Sequence, residues 1–350
     1  MEKVVCFAAA SLLAAGTLAP AFSHAQTTGS GPGSSGVVLY GLVDVYGGSM
    51  RKSGDPARVA VLNSGGLNTS FWAIRGHEDL GGGLQAQFVL ESFFQADTGV
   101  AGRTTADPLF SKNAWVGLSS SKAGSLRLGR QTNPLFLATG NSNPFGTSLS
   151  LSPLMLHTWL PAYNRTVVGD SVWDNAVQYI SPTFGGLRAD VAYAFGESTQ
   201  TNGIHNTNLT VTYASGPLYA VVSAQDTKTG PGFTAAITEQ KTYMAGMRYD
   251  FRLLRVYASA QRSRTPGIHT VTETGQLGVS VPVFAGRVLA SAVHTRRDVA
   301  TGTDTRRTTA AIGYEYALSR RTDLYAISLY DKLTGAQHGM SYVAGMRHRF

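Results

Sequence analysis

At 350 residues, 43% hydrophobic and only 14% charged, the chain falls well below the roughly 25% charge of ordinary soluble domains. Its mean hydropathy of −0.04 is still too low for a bundle of membrane helices, and beyond the N-terminal segment no stretch approaches the roughly 18 apolar residues a spanning helix needs. The net charge of +8 is compatible with nucleic acid, but Lys and Arg are spread along the chain among Asp and Glu, and an export signal argues against such a partner.

Residues 1–25 read as that signal. Lys3 precedes an apolar run from Val4 to Ala15, and Ser23-His24-Ala25 offers a small-x-small cleavage site. The run is too short to span a bilayer, so it is expected to be removed. The sole cysteine, Cys6, leaves with it. Neither disulfides nor a thiolate metal site then contributes to the mature protein. Residues 26–36, QTTGSGPGSSG, form a flexible polar leader. Its glycines are not a phosphate-binding loop, because no Gly-Lys-Ser/Thr follows.

From Val37 to Phe350 one pattern recurs: segments of alternating residues with turn-forming separators. Leu84, Ala86, Phe88 and Leu90 alternate with Gln85, Gln87, Val89 and Glu91. Leu187, Ala189, Val191, Tyr193 and Phe195 alternate with Arg188, Asp190, Ala192 and Ala194. The segments at 243–250, 254–261 and 310–316 repeat the scheme. Each reads as a strand with one apolar and one polar or small face. Short connections fall at 78–83, 120–124, 181–186, 215–217, 251–253, 282–286 and 317–321. Long ones fall at 51–67, 96–111, 131–170, 197–206, 227–240, 264–271, 298–305 and 333–338. Seven short and eight long connections join sixteen strands. The expected fold is all-β: a sixteen-stranded antiparallel transmembrane barrel, apolar outside and polar inside, with short turns at one rim and long loops at the other. The final stretch, SYVAGMRHRF, carries the alternation to the terminal carboxylate. Met346 and Phe350 are expected to face lipid, and Arg347 and Arg349 the aqueous interior.

Several stretches then carry a family likeness. VVLYGLVDV (37–45), IRGHEDLGGGLQAQFVLES (74–92), AWVGLSSSKAGSLRLGRQ (114–131), NAVQYISPTFGGLRADVAYAFGE (175–197), GYEYALSRRTDLYAISLY (313–330) and GMRHRF (345–350) resemble the Gram-negative general porins of the Burkholderia and Bordetella type. The resemblance implies a homotrimer in the outer membrane, with short periplasmic turns, long extracellular loops and a third loop folded into the lumen. That loop would be 131–170, with Asn143-Pro144-Phe145-Gly146-Thr147 at its tip. The family usually sets acids on this loop against bases on the wall. Here no Asp or Glu lies between Gln131 and Gly169; Arg165 is the lone charge, with His157 titratable. Asn143 stands where Asp is common and Phe71 where a wall Arg is common, while Arg75 and Lys112 match basic positions. With Arg127 on the adjoining polar face, Phe71, Arg75, Lys112, Arg127, Asn143, Phe145 and Arg165 are the expected constriction residues. The resemblance also makes Phe350 a signal for the barrel-assembly machinery, and outer-membrane lipid and lipopolysaccharide the surroundings.

Catalysis and metal binding find little support. Gly169-Asp170-Ser171 resembles the start of an esterase block, but no Asp-x-x-His occurs anywhere to supply an oriented base. His77, His157, His205, His294, His338 and His348 are far apart in sequence, and no His-Glu-x-x-His is present. Neither an enzyme nor a cofactor is expected. The expected function is passive diffusion of ions and small hydrophilic solutes, with weak anion preference. A channel specific for an anionic metabolite and a non-conducting surface-binding barrel are the alternatives.

Overall fold

The computed structural model describes residues 35–197 and 204–350. The signal peptide and nearly all of the leader lie outside the described residues. The strands are β1 (Gly36–Met50), β2 (Val59–Ser64), β3 (Phe71–Gly81), β4 (Leu84–Phe93), β5 (Asn113–Ser120), β6 (Gly124–Thr132), β7 (Val172–Ile180) and β8 (Leu187–Phe195). They continue as β9 (His205–Ser215), β10 (Leu218–Thr227), β11 (Gln240–Asp250), β12 (Arg255–Thr265), β13 (Thr270–Val283), β14 (Gly286–Val299), β15 (Thr305–Ala317), β16 (Thr322–Leu333) and β17 (Gly339–Arg349). Each pairs antiparallel with its chain neighbour from β3 to β17, and β17 returns to β1. All seven short turns are present, but the one expected at 78–83 is reduced to 82–83, because β3 runs on to Gly81.

The wall has sixteen positions although seventeen strands are present. Gly36–Leu42 of β1 pair with His77–Phe71 of β3, whereas Val45–Met50 pair with Ser64–Val59 of β2. Thus β2 continues the wall above β3, and the stretch 51–67 is not simply the loop the sequence suggests. The connection expected at 264–271 is also shorter, because β12 and β13 run on to Thr265 and Thr270 and a single 3-10 turn, Pro266–Ile268, joins them.

Closure ties down the chain end. The Gly41 N–H donates to the Phe350 carbonyl at 3.1 Å, and the Phe350 N–H donates to the Gly41 carbonyl at 3.1 Å. The Phe350 ring lies over Gly41, where a Cβ would come within 2.5 Å of it. Tyr179, Tyr249, Phe251, Tyr316 and Phe350 form an outward belt near the short turns, and Tyr193, Phe195, Tyr330 and Tyr342 one toward the loops. Between them lie outward Leu and Val side chains such as Leu128, Val191 and Leu209. An apolar band between two aromatic belts is the outer surface of a membrane barrel.

The polar-inside expectation holds for only part of the wall. Tyr46 of β1, Leu289 of β14, Ala311 of β15, Tyr325, Ile327 and Leu329 of β16 and Val343 of β17 point inward and are buried in one apolar cluster. Leu151, Leu156 and Phe145 from the long connection between β6 and β7 complete it. Hydrophobic burial there explains why β16 is apolar on both faces: lipid covers Leu324 and Tyr330, and a loop covers Tyr325, Ile327 and Leu329. Arg347 is likewise not bathed in water. It is buried, donating to Asp323 at 2.9 Å and to Glu315 at 2.6 Å.

Gly41→Val is expected to displace the terminal ring and lower the yield of folded barrel, as deletion of Phe350 should. The fraction migrating as heat-modifiable barrel on detergent gels reads this; channels that do form should keep wild-type conductance. A normal yield from both variants would show that the terminal pairing is dispensable.

Candidate functional site

The connection between β6 and β7 is folded into the lumen and carries two short helices, α1 (Pro134–Asn141) and α2 (Pro153–Trp159). Both have the same start. The Asn133 side chain accepts from the Leu135 N–H, the Ser152 side chain accepts from the Met155 N–H, and proline fills the first helical position in each. A polar cap satisfies an orphan N–H, and proline there loses no hydrogen bond. α1 lies against β9, β10 and β11, and α2 against β14 and β15. Leu135, Phe136, Met155 and Trp159 pack with Val221 of β10 and Met244 of β11.

The loop tip crosses to β1. Asp44 of β1 accepts from the backbone N–H groups of Gly66 (3.1 Å), Leu67 (2.9 Å) and Asn68 (2.9 Å) and from the Tyr325 hydroxyl (2.5 Å). The segment 65–68 is thereby fixed, and the tip docks on it. Ser150 Oγ donates to the Gly65 carbonyl at 2.9 Å, Ser148 Oγ donates to the Gly66 carbonyl, and Asn68 Nδ2 donates to Thr147 Oγ1 at 3.3 Å. His157 is fully buried, its Nδ1 and Nε2 each 2.7 Å from the hydroxyls of Thr295 and Thr309. Burial above all, with Arg307 adding to it and Asp331 opposing, pushes its pKa down to about 3. It stays neutral, one ring nitrogen donating and the other accepting.

Facing this loop is a row of cations on the wall, each backed by an aromatic ring: from the neighbouring strand for Arg75, Arg127 and Arg248, and from β3, across β4, for Lys112. The Arg75 guanidinium lies 5.1 Å from the Tyr40 ring centre, Lys112 Nζ 3.6 Å from Phe71, Arg127 4.4 Å from Trp115 and Arg248 4.4 Å from Tyr219. The register places Arg188 on the same inner surface, and it is exposed. Such pairing holds a cation flat against the wall without neutralising it. Nearby acids are engaged. Glu91 accepts from Lys112 (3.2 Å) and the Tyr40 hydroxyl (2.7 Å), and Asp190 takes both its bonds from Gln178 (2.8 and 2.9 Å). In the part of the loop before α2, Leu137 and Asn141 are exposed and Leu149 and Ser150 half-buried, and none of them carries a charge.

The residues singled out from sequence separate into two groups. Phe71, Arg75, Lys112 and Arg127 fall together on β3, β6 and the approach to β5, and Phe71 is the platform for Lys112. The other three are elsewhere. Asn143 is buried, with Nδ2 donating to the carbonyls of Thr139 (3.0 Å), Gly140 (3.2 Å) and Gly146 (2.9 Å). A carboxylate could make none of these bonds, which accounts physically for an amide at this position. Phe145 is a buried anchor in the β14–β17 cluster. Arg165 turns toward the 227–240 connection, where it donates to the carbonyls of Gly169 (2.8 Å) and Pro231 (2.5 Å). Asp170 and Ser171 serve a tie between loops: Arg103 forks onto Asp170 at 2.8 and 2.9 Å and reaches Ser171 at 2.9 Å. That contact, against the cost of burial, holds the Asp170 carboxyl below the usual range. Among the described residues no group of three or more His, Cys, Asp or Glu is arranged to hold a metal. Sequence reasoning missed Tyr40, Trp115 and Tyr219, whose signal was their place on the polar face beside a cation.

The family model that matches residues 8–335 is that of the Gram-negative porins. An outer membrane porin protein 32 of Delftia acidovorans is 30% identical over 85% of this chain and 84% of its own length. An outer membrane porin protein of Bordetella pertussis is 25% identical over 95% of this chain and 99% of its own. Among solved structures, the anion-selective porin from Comamonas acidovorans superposes with a TM-score of 0.77 at 25% identity, over 91% of this chain and all of that one.

Two outcomes follow from the loop geometry. Asn143→Asp sets a carboxylate against three carbonyl oxygens, at a cost on the order of 3 kcal/mol; single-channel records should show a noisier open state, and a quiet one would discount the amide's role. A folded-state pKa near 3 below an undocked value of roughly 6.5 means that docking is unaffected above that value and weakens as pH falls beneath it. By pH 5 the loss is ~2 kcal/mol. Closing events should therefore become more frequent in acid and be flat with pH in His157→Gln.

Proposed function

This chain belongs to the Gram-negative porin family, an outer-membrane channel for passive diffusion of small solutes, and on that footing we propose that its lumen favours anions. The observation that carries the reading is the row of Arg75, Lys112, Arg127, Arg188 and Arg248 opposite a loop edge without carboxylates. Charges lining a narrow aqueous path set ion preference electrostatically. Lys112 is partly neutralised by Glu91, whereas Arg75, Arg127, Arg188 and Arg248 form no ion pair among the described residues. The anion selectivity named for the Comamonas neighbour points the same way.

The wider reading is of a homotrimer surrounded by lipid and lipopolysaccharide, inserted by the barrel-assembly machinery with Phe350 as its signal. No bond is made or broken in it. The aromatic backing of the cations favours one second reading, a channel with a binding track for an anionic metabolite. Saturable current block by one class of organic anion would separate that from a general pore.

A unit charge ~7 Å from a permeating ion in water contributes ~0.6 kcal/mol, or roughly a threefold change in local concentration. Reversal potentials in a potassium chloride gradient should show chloride preference, and Arg75→Gln with Arg127→Gln should reduce the permeability ratio by roughly threefold or more. Cation preference in the wild-type channel would overturn the proposal.

A further inference from the structure

The lipid-facing wall is not evenly convex. Across β9–β15 two adjoining depressions of about 900 and 790 Å3 form one trough. A single register line makes its floor: Ala245 of β11 pairs with Ala260 of β12, Ala260 with Gly275 of β13, and Gly275 with His294 of β14. All four alternate with inward neighbours, so they point outward. Gly275 is instructive. A Cβ built there meets nothing within 4 Å, and its φ lies outside the left-handed range. Neither packing nor backbone conformation asks for glycine, and a lipid-facing strand would gain from a larger apolar side chain. Glycine inside a strand without a local reason marks a place where something approaches closely.

The next register line, one step toward the long loops, is charged. Tyr243 pairs with Arg262, Arg262 with Glu273, Glu273 with Arg296, and Arg296 with Arg306. Arg262 lies 3.6 Å from Glu273, and Arg296 lies 2.7 Å from Asp298. Arg306 has no ion pair among the described residues, yet it stands directly opposite Arg296. Like charges facing each other across strands are destabilising. With Arg264 on β12 and Lys241 on β11, both outward, five cations lie on the lipid side of this wall; Glu273 and Asp298 oppose them, with Asp304 near Arg296 and Asp226 and Glu239 beside Lys241. Arginine on the lipid face is costly near the bilayer midplane and tolerated near the headgroups.

We propose that this trough binds lipopolysaccharide of the outer leaflet. An acyl chain lies along Ala245, Ala260 and Gly275, and a glucosamine phosphate bridges Arg296 and Arg306 with Arg262 beside them. The assignment rests on the outer-membrane reading, with the long loops outward. Arg306, without an ion pair among the described residues and facing Arg296, gains a partner from a phosphate, whereas the ammonium of a zwitterionic phospholipid would add a further like charge beside it. A second copy of the chain would set Arg296 and Arg306 against their own kind.

The test uses the mature protein, purified in detergent and stripped of lipid, with bound lipid counted by native mass spectrometry. Diphosphoryl lipid A should be retained at least tenfold better than dephosphorylated lipid A or phosphatidylethanolamine, and inorganic phosphate alone should not compete. Arg296→Gln with Arg306→Gln should lose that preference, and Gly275→Leu, which fills the trough without an internal clash, should weaken lipid A retention severalfold. Both variants should keep wild-type conductance, since these side chains face away from the lumen. Equal retention by either variant, equal retention of phosphatidylethanolamine, or a change of oligomeric state in Gly275→Leu would each overturn the proposal. Should the double variant fail to show a heat-modifiable barrel, Arg306→Gln alone decides in its place. A wild-type protein that binds lipid A but does not conduct would refute the channel reading and leave this one standing.

Discussion

Lipid offers no partner to a backbone N–H or C=O, and everything else in this protein is arranged around that fact. The sheet has to close, so the first and last strands must meet. The paired hydrogen bonds between Gly41 and Phe350 are the seam. A sixteen-position wall encloses more space than inward side chains alone can fill, and porins of that size hold an aqueous channel. The interior therefore becomes a problem of its own, and the longest connection addresses it.

That connection divides the lumen into a dry part and a wet part. On the side of β14–β17 it is packed as a protein core, with Leu151, Leu156 and Phe145 against Leu289, Tyr325 and Ile327. The tip is held by hydrogen bonds to 65–68, which Asp44 fixes from below. On the side of β3–β8 the wall carries cations lying on aromatic rings. Stacking orders these long side chains without cancelling their charge, as a carboxylate partner would. The described charges of the wet part thus lie on the wall, and the loop residues Leu137 and Asn141 that face solvent carry none.

Much of this was legible in the sequence, for a physical reason. One face of every strand must suit hydrocarbon, so an apolar residue at every second position recurs in most strands between Val37 and Phe350 and the turns stand out between the segments. β2 was not legible, because Val59–Ser64 is short and sits after Gly54 and Pro56 in a stretch without a lipid-facing repeat. The two lumen helices are under three turns each and too short for a helical period to register, although Asn133-Pro134 and Ser152-Pro153 were usable start signals. The dry half was written in β16, where Leu324 and Tyr330 alternate with Tyr325, Ile327 and Leu329. Apolar residues on both faces mean cover on both faces. Asn143, Phe145 and Arg165 went astray because inside an irregular loop nothing in the residue order tells which way a side chain points.

The two edges of the inserted loop have different freedom to change. Its packed edge is committed, since Asn143, Phe145 and His157 each satisfy several partners at once. Leu149 packs on the cluster around α1 and Ser150 holds the Gly65 carbonyl, so the open edge comes down to the exposed side chains of Leu137 and Asn141. Variation can accumulate there without unseating the fold, so the permeability of such a channel can drift quickly under a changing diet or a new toxic solute. The barrel that carries it would hardly register the difference.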